Sequence, residues 1–164
     1  MIFQRISIRS RAGAVAVASD RAAAPPNFLL ILADDLGYGD IGPFGQKLIR
    51  TPNLDQLARD GMRFTQHYSG HNVCAPSRCV LMTGKHLGHA EIRGNQQAKV
   101  AFPQFSEGQH PISQQALTIA QIFQRAGYAT GAMGKWGLGP VGSTGDPNRK
   151  GFDLFFGYNC QKSQ

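Results

Sequence analysis

Residues able to do chemistry fall in three short stretches: Asp34-Asp35 at the end of an apolar run, Cys74-Ala75-Pro76-Ser77-Arg78, and Gly134-Lys135-Trp136. Paired carboxylates on a turn are hard oxygen ligands suited to calcium or magnesium, although the same pair can simply cap a loop in water. Pro76 fits the first turn of a helix, which places Cys74 at or just before its start. There the amides and the positive end of the helix dipole favour an anion, and Arg78, one turn on, can project to the same side. A lysine among glycines at a strand's carboxyl end can contact an oxyanion. It can equally be solvated while its neighbour Trp136 packs on the sheet.

Cys74 has several readings on local grounds. It can be an inert small core residue, like Cys79 five positions later, or a thiolate nucleophile favoured by a helix start. A zinc site from His67, His71, Cys74 and Cys79 is a third option, but the spacing lacks the usual C-x2-C pair and would distort a helix at Pro76. His86 and His89 read as surface loop residues.

The elements that must position these groups follow from the apolar pattern. Asn27 to Asp35, NFLLILADD, reads as a central strand buried on both faces, left through Gly37, Gly39 and Gly42. Thr51 as N-cap, Pro52 at the first helical position and Gly61 as terminator bound a helix with Leu54, Leu57 and Ala58 on one face. MRFTQHY alternates as a strand. A second helix is expected from near Pro76 to about Met82, ended by Gly84. A third is expected from about Ser113 to Ala126, ended by Gly127, with a strand from Tyr128 to Met133. Strands separated by helices predict an α/β fold with a mainly parallel central sheet covered by helices on both faces, and ligands gather at the carboxyl ends of such strands.

At 164 residues and 41% hydrophobic content the chain suits one globular domain. The net charge of +7 invites a nucleic-acid reading, but Arg5, Arg9, Arg11 and Arg21 precede the first strand with only Asp20 to offset them, leaving +4 without a basic block. Nucleic acid is therefore not the expected partner. Three cysteines make no disulfide framework. Residues 1–24 resemble a weak secretory leader: arginines, the run AGAVAVA, then Ala22-Ala23-Ala24. No stretch approaches the roughly 20 apolar residues of a membrane span.

NFLLILADDLGYGDIG, TPNLDQLARDGMRF, CAPSRCVLMTG and GKWGLG stand in the order and approximate spacing of the sulfatase family, whose fold is similar to that of alkaline phosphatase. The resemblance runs from Pro25 to the end, and CxPSRxxxxTG is its specific part. It implies a sulfuric ester hydrolase of arylsulfatase type, with residues 25–164 as the N-terminal part of the catalytic domain. It also implies that Cys74 is oxidised to formylglycine by a formylglycine-generating enzyme, while Cys79 stays in the core. By the same resemblance Asp34, Asp35 and an oxygen of the modified Cys74 bind calcium, and Arg78 and Lys135 hold the hydrated aldehyde and the sulfate. The substrate would be a sulfated small molecule or carbohydrate. A working leader would place the enzyme in the periplasm or outside the cell, and without one it would be cytoplasmic.

Two departures from the family pattern stand out. Gly137 occupies the position of a histidine in Gly-Lys-Trp-His, and the family's later metal ligands, histidine and lysine have no counterpart before Gln164. The chain thus reads as the first part of a sulfatase carrying about half of its site. A phosphoester or phosphonate-ester hydrolase of the same fold and a non-catalytic remnant or binding module are the alternatives.

Overall fold

The computed structural model describes residues 2–3, 25–105 and 108–159, so the leader-like segment lies almost wholly outside the described residues. The chain divides into two compact units, Met1–His67 and Tyr68–Gln164.

In the first unit, β1 (Ile2–Phe3) pairs antiparallel with β2 (Met62–Arg63), setting Ile2 opposite Arg63 and Phe3 opposite Met62. Between them runs α1 (Pro52–Asp60), with Pro52 at its first position and the Gly61 amide closing the last turn on Leu57. Thr51 occupies the N-cap position, but its hydroxyl is spent elsewhere. It donates to Asp55 Oδ1 at 2.9 Å and accepts from the Gly42 amide at 2.8 Å, tying α1 to the short 3-10 turn Gly42–Phe44. The alternation of MRFTQHY yields a strand only at Met62–Arg63.

The expected central strand Asn27–Asp35 is not formed as a ladder among the described residues beyond a bridge at Asn27. A strand buried on both faces needs partners along its length. Without that cover Phe28 and Ile31 are 62% and 75% exposed, and no described residue of this unit is buried.

The second unit holds α2 (Cys74–Thr83), α3 (Ala98–Ala101), α4 (Ile119–Arg125), β3 (Gly131–Lys135) and β4 (Leu154–Tyr158). β3 and β4 run parallel, in register from Gly131 opposite Leu154 to Lys135 opposite Tyr158. The α/β class with parallel pairing is therefore present. Ala75 and Cys79 of α2 pack with Ala90, Ile92, Ile112, Ala116, Trp136 and Leu138, and Phe155 of β4 joins them from the sheet. On the opposite face Met133 and Phe156, partners in the register, are each 78% exposed.

Two boundaries differ from expectation for identifiable reasons. Helix 113–126 shortens to α4 because the carbonyls of Ser113, Gln114 and Ala116 turn towards the Lys150 ammonium. The helix then starts at Thr118, whose hydroxyl accepts from the Gln121 amide while the Gln121 side chain returns to the Thr118 amide, a capping box. The following strand begins at Gly131 instead of Tyr128, because Asp153 takes the Thr130 amide at 2.7 Å and the Thr130 hydroxyl at 3.0 Å.

Asp153 also accepts from Gln124 Nε2 at 2.7 Å, so one carboxylate joins α4, the start of β3 and the approach to β4. The Thr130 amide first, then the Gln124 and Thr130 side chains, hold its pKa below the ordinary aspartate value. A depressed carboxylate stabilises the fold above its unfolded pKa, and that contribution is lost as pH falls through the folded value. Asp153→Asn is expected to lower the melting temperature at neutral pH and to flatten its decline below about pH 4. Parallel acid limbs for the two proteins would disprove the assignment.

Candidate active site

The CAPSR stretch folds as the first turn of α2. The helix begins two residues before Pro76, so Cys74 is its first residue and Val73 its N-cap, in extended backbone. Pro76 is tolerated in this turn because its missing amide would have no partner within the helix. Gly84 ends the helix at φ 66°, a left-handed conformation that glycine adopts without strain.

The amide cradle expected around Cys74 is partly used by the protein itself. The Ala75 amide donates to Asn95 Oδ1 at 3.0 Å, and the Val73 amide donates to His71 Nδ1 at 2.9 Å. Asn95 and His71 thus shape the helix entrance. His71 figured in the sequence only as a zinc candidate, and nothing in the pattern around Asn95 marks it. The zinc grouping does not form, since Cys79 is fully buried in the core with Trp136 and Ile112 and His71 Nδ1 is engaged by the backbone.

Side chains supply the positive charge instead. Lys135, the last residue of β3, donates from Nζ to Cys74 Sγ at 3.3 Å. Arg78, one turn along α2, donates from Nη1 to the Lys135 carbonyl at 2.6 Å. The helix start and the strand end therefore hold each other, and both cations and Cys74 are half-buried. Trp136 is buried and donates through Nε1 to the Gly145 carbonyl at 2.7 Å, which fixes the chain directly after Lys135. Of the sequence candidates, the structure brings Cys74, Arg78 and Lys135 together in one unit. His86 and His89 lie exposed in a short turn, as expected.

Gly137, the departure from the Gly-Lys-Trp-His pattern, has φ 76°. Any other residue there would be strained, so the glycine has a conformational reason as well as a chemical consequence.

In the first unit, Asp34 and Asp35 follow the apolar run in a bend, both exposed. Neighbouring residues of a straight strand point to opposite faces. Asp35, however, has φ 55°, and this left-handed residue lets a carboxylate oxygen of each aspartate come within 4.8 Å of the other. Two converging hard oxygens fit a divalent cation such as calcium.

The sulfatase family model matches residues 26–163. The chain is 43% identical to steryl-sulfatase of Mus musculus over 141 residues, covering 83% of this chain and 22% of that protein. It is 44% identical to arylsulfatase A of Homo sapiens over 137 residues, covering 82% of this chain and 25% of that protein. Among solved structures, that of Ps i-CgsB superimposes with a TM-score of 0.67 at 36% identity, over 79% of this chain and 27% of that one. A Bacteroides thetaiotaomicron sulfatase of glycosaminoglycan metabolism gives 0.65 at 33%, over 77% and 27%. The fold is the alkaline-phosphatase-like α/β fold of these neighbours, and the chain belongs to the sulfatase family. It spans about a quarter of the length of the relatives it matches. Sulfatases generally use a metal ion and formylglycine. No helix among the described residues is long and apolar enough to cross a membrane.

Proposed function

We propose that the chain forms part of a calcium-dependent, formylglycine-type sulfatase that hydrolyses sulfate esters of small molecules or carbohydrates. The observation that carries this reading is the Lys135 ammonium 3.3 Å from Cys74 Sγ, with Arg78 one helical turn away. That arrangement suits a residue whose product of oxidation must receive a tetrahedral, anionic sulfate group.

Once oxidised and hydrated, Cys74 would supply one hydroxyl to attack sulfur and a second through which the sulfate group is later released. Lys135 neutralises charge on the incoming sulfate oxygens, and the Arg78 guanidinium fixes the Lys135 backbone while adding a second cation. Both are in place before substrate arrives, so little reorganisation is required as charge develops. Asp34 and Asp35 would hold calcium, and a bound calcium would supply Lewis-acid chemistry, acidifying a hydroxyl and polarising the sulfate. Maturation requires a formylglycine-generating enzyme as partner. The leader-like segment, if it works, directs the enzyme to the periplasm or the exterior.

The test is a complete enzyme containing this chain, co-produced with the generating enzyme and assayed on an aryl sulfate and an aryl phosphate with and without chelator. Turnover of the sulfate that falls on chelation and returns with calcium is expected. Preference for the phosphate would move the assignment to the phosphoester hydrolases, and no turnover of either would favour a non-catalytic module. In the same enzyme Asp35→Asn is expected to raise the calcium concentration for half-activation at least tenfold with the fold unchanged. Asparagine tolerates the left-handed backbone but loses the anionic oxygen. An unaltered calcium dependence would remove Asp35 from the metal site.

A further inference from the structure

Lys150 is the largest fully buried side chain described, 1% exposed, and is not one of the candidate catalytic residues. Its ammonium donates to three backbone carbonyls: Ser113 at 2.6 Å, Ala116 at 2.9 Å and Gln114 at 3.2 Å. Three acceptors require three N–H donors, which only the protonated amine provides. Burial pushes the pKa of this lysine down and the Glu91 carboxylate pulls it up. Glu91 is fixed by the same turn, accepting from the Ser113 amide at 2.7 Å and the Ser113 hydroxyl at 2.9 Å.

The clamped turn is tied to both strands of the parallel pair. On one side the Ile112 amide donates to the Leu138 carbonyl at 3.0 Å, and Thr144 Oγ1 donates to the Ile112 carbonyl at 2.8 Å. These bonds hold the loop that leaves β3 directly after Lys135. On the other side Lys150 ends the 3-10 turn Pro147–Lys150 that leads into β4, and its own carbonyl accepts from Thr118 Oγ1, the N-cap of α4, at 2.5 Å.

We infer that Lys150 is a positioning residue for Lys135: its buried ammonium locks the 113–116 turn, which holds the loop after β3 and so keeps Lys135 against Cys74. The inference rests on the proposed role of Lys135, but the clamp itself can be tested without turnover. Lysine at this place acts as a tethered monovalent cation in a pocket of carbonyls. Methionine fills similar volume yet leaves three buried acceptors without donors.

The first measurement is hydrogen exchange on the complete enzyme containing this chain. Lys150→Met is expected to speed exchange at least tenfold at Ile112 and across residues 138–146, with a smaller change in α2. Equal acceleration everywhere would mean a general contribution to stability and would overturn the proposal. Should Lys150→Met fail to fold, Lys150→Ala in ethylammonium chloride is the second variant. Saturable recovery of melting temperature beyond that in sodium chloride supports a cation pocket, and its absence counts against one. The second measurement is a double-mutant cycle in the complete enzyme. Lys150→Met is expected to lower kcat/KM about tenfold in the parent and hardly at all in a Lys135→Ala background. Additive losses would show that Lys150 does not act through Lys135. If Lys135→Ala alone retains full activity, the catalytic reading of Lys135 fails, while the exchange result still decides the clamp.

Discussion

Cys74→Ala in a complete enzyme co-produced with the generating enzyme is expected to reduce aryl-sulfate turnover by roughly four orders of magnitude or more, as removal of a covalent nucleophile does. The fold should survive, because Cys74 is the half-buried first residue of α2 and alanine is the better helix former. Cys74→Ser gives the sharper result. Serine offers one hydroxyl, so it can accept a sulfate group but has no second hydroxyl to release it. At most a single turnover is expected, ending in a stable sulfate ester at position 74 that peptide mass analysis would detect. In the parent, the aldehyde should appear at residue 74 and not at Cys79, which is wholly buried among Ile112, Trp136 and Leu138. Multiple turnovers from Cys74→Ser, or modification of Cys79 alone, would rule out the mechanism.

The parts of this structure legible in the sequence are those set by local rules. Gly84 ends α2 and Gly61 ends α1, each donating its amide to a last-turn carbonyl, and the Pro76 turn carries Cys74 and Arg78 on one helix start. The meeting of Lys135 with Cys74 across 61 positions came from the order of motifs and not from any local pattern. What local rules missed involves long-range polar contacts. The 113–118 segment has good helix pattern, yet a buried ammonium 34 or more positions away takes its carbonyls, and three charge-assisted bonds outweigh weak helix propensity. Thr130 reads as a strand residue, but Asp153 claims its amide. The apolar run at 28–32 has the composition of a buried strand, but composition states only that cover is needed and cannot supply neighbours.

Arg78→Ala is expected to lower kcat/KM by about two to three orders of magnitude, chiefly through kcat, because it removes a preorganised cation whose benefit grows as charge develops on the transferring group. The loss should exceed that of simple charge removal. The guanidinium reaches over β3 to the Lys135 carbonyl at 2.6 Å, so its deletion also frees the strand end that carries the Lys135 ammonium. Arg78→Lys tests this second role. Lysine restores the charge but not the planar fork, which can address a backbone carbonyl with one nitrogen and face the site with another. The variant is therefore expected to regain little activity, an increase of less than about tenfold over Arg78→Ala. Near-normal rates for Arg78→Lys would reduce Arg78 to a point charge. Near-normal rates for Arg78→Ala would mean that the cation beside Cys74 is Lys135 alone, and that the bond from α2 to β3 serves packing and not sulfate transfer.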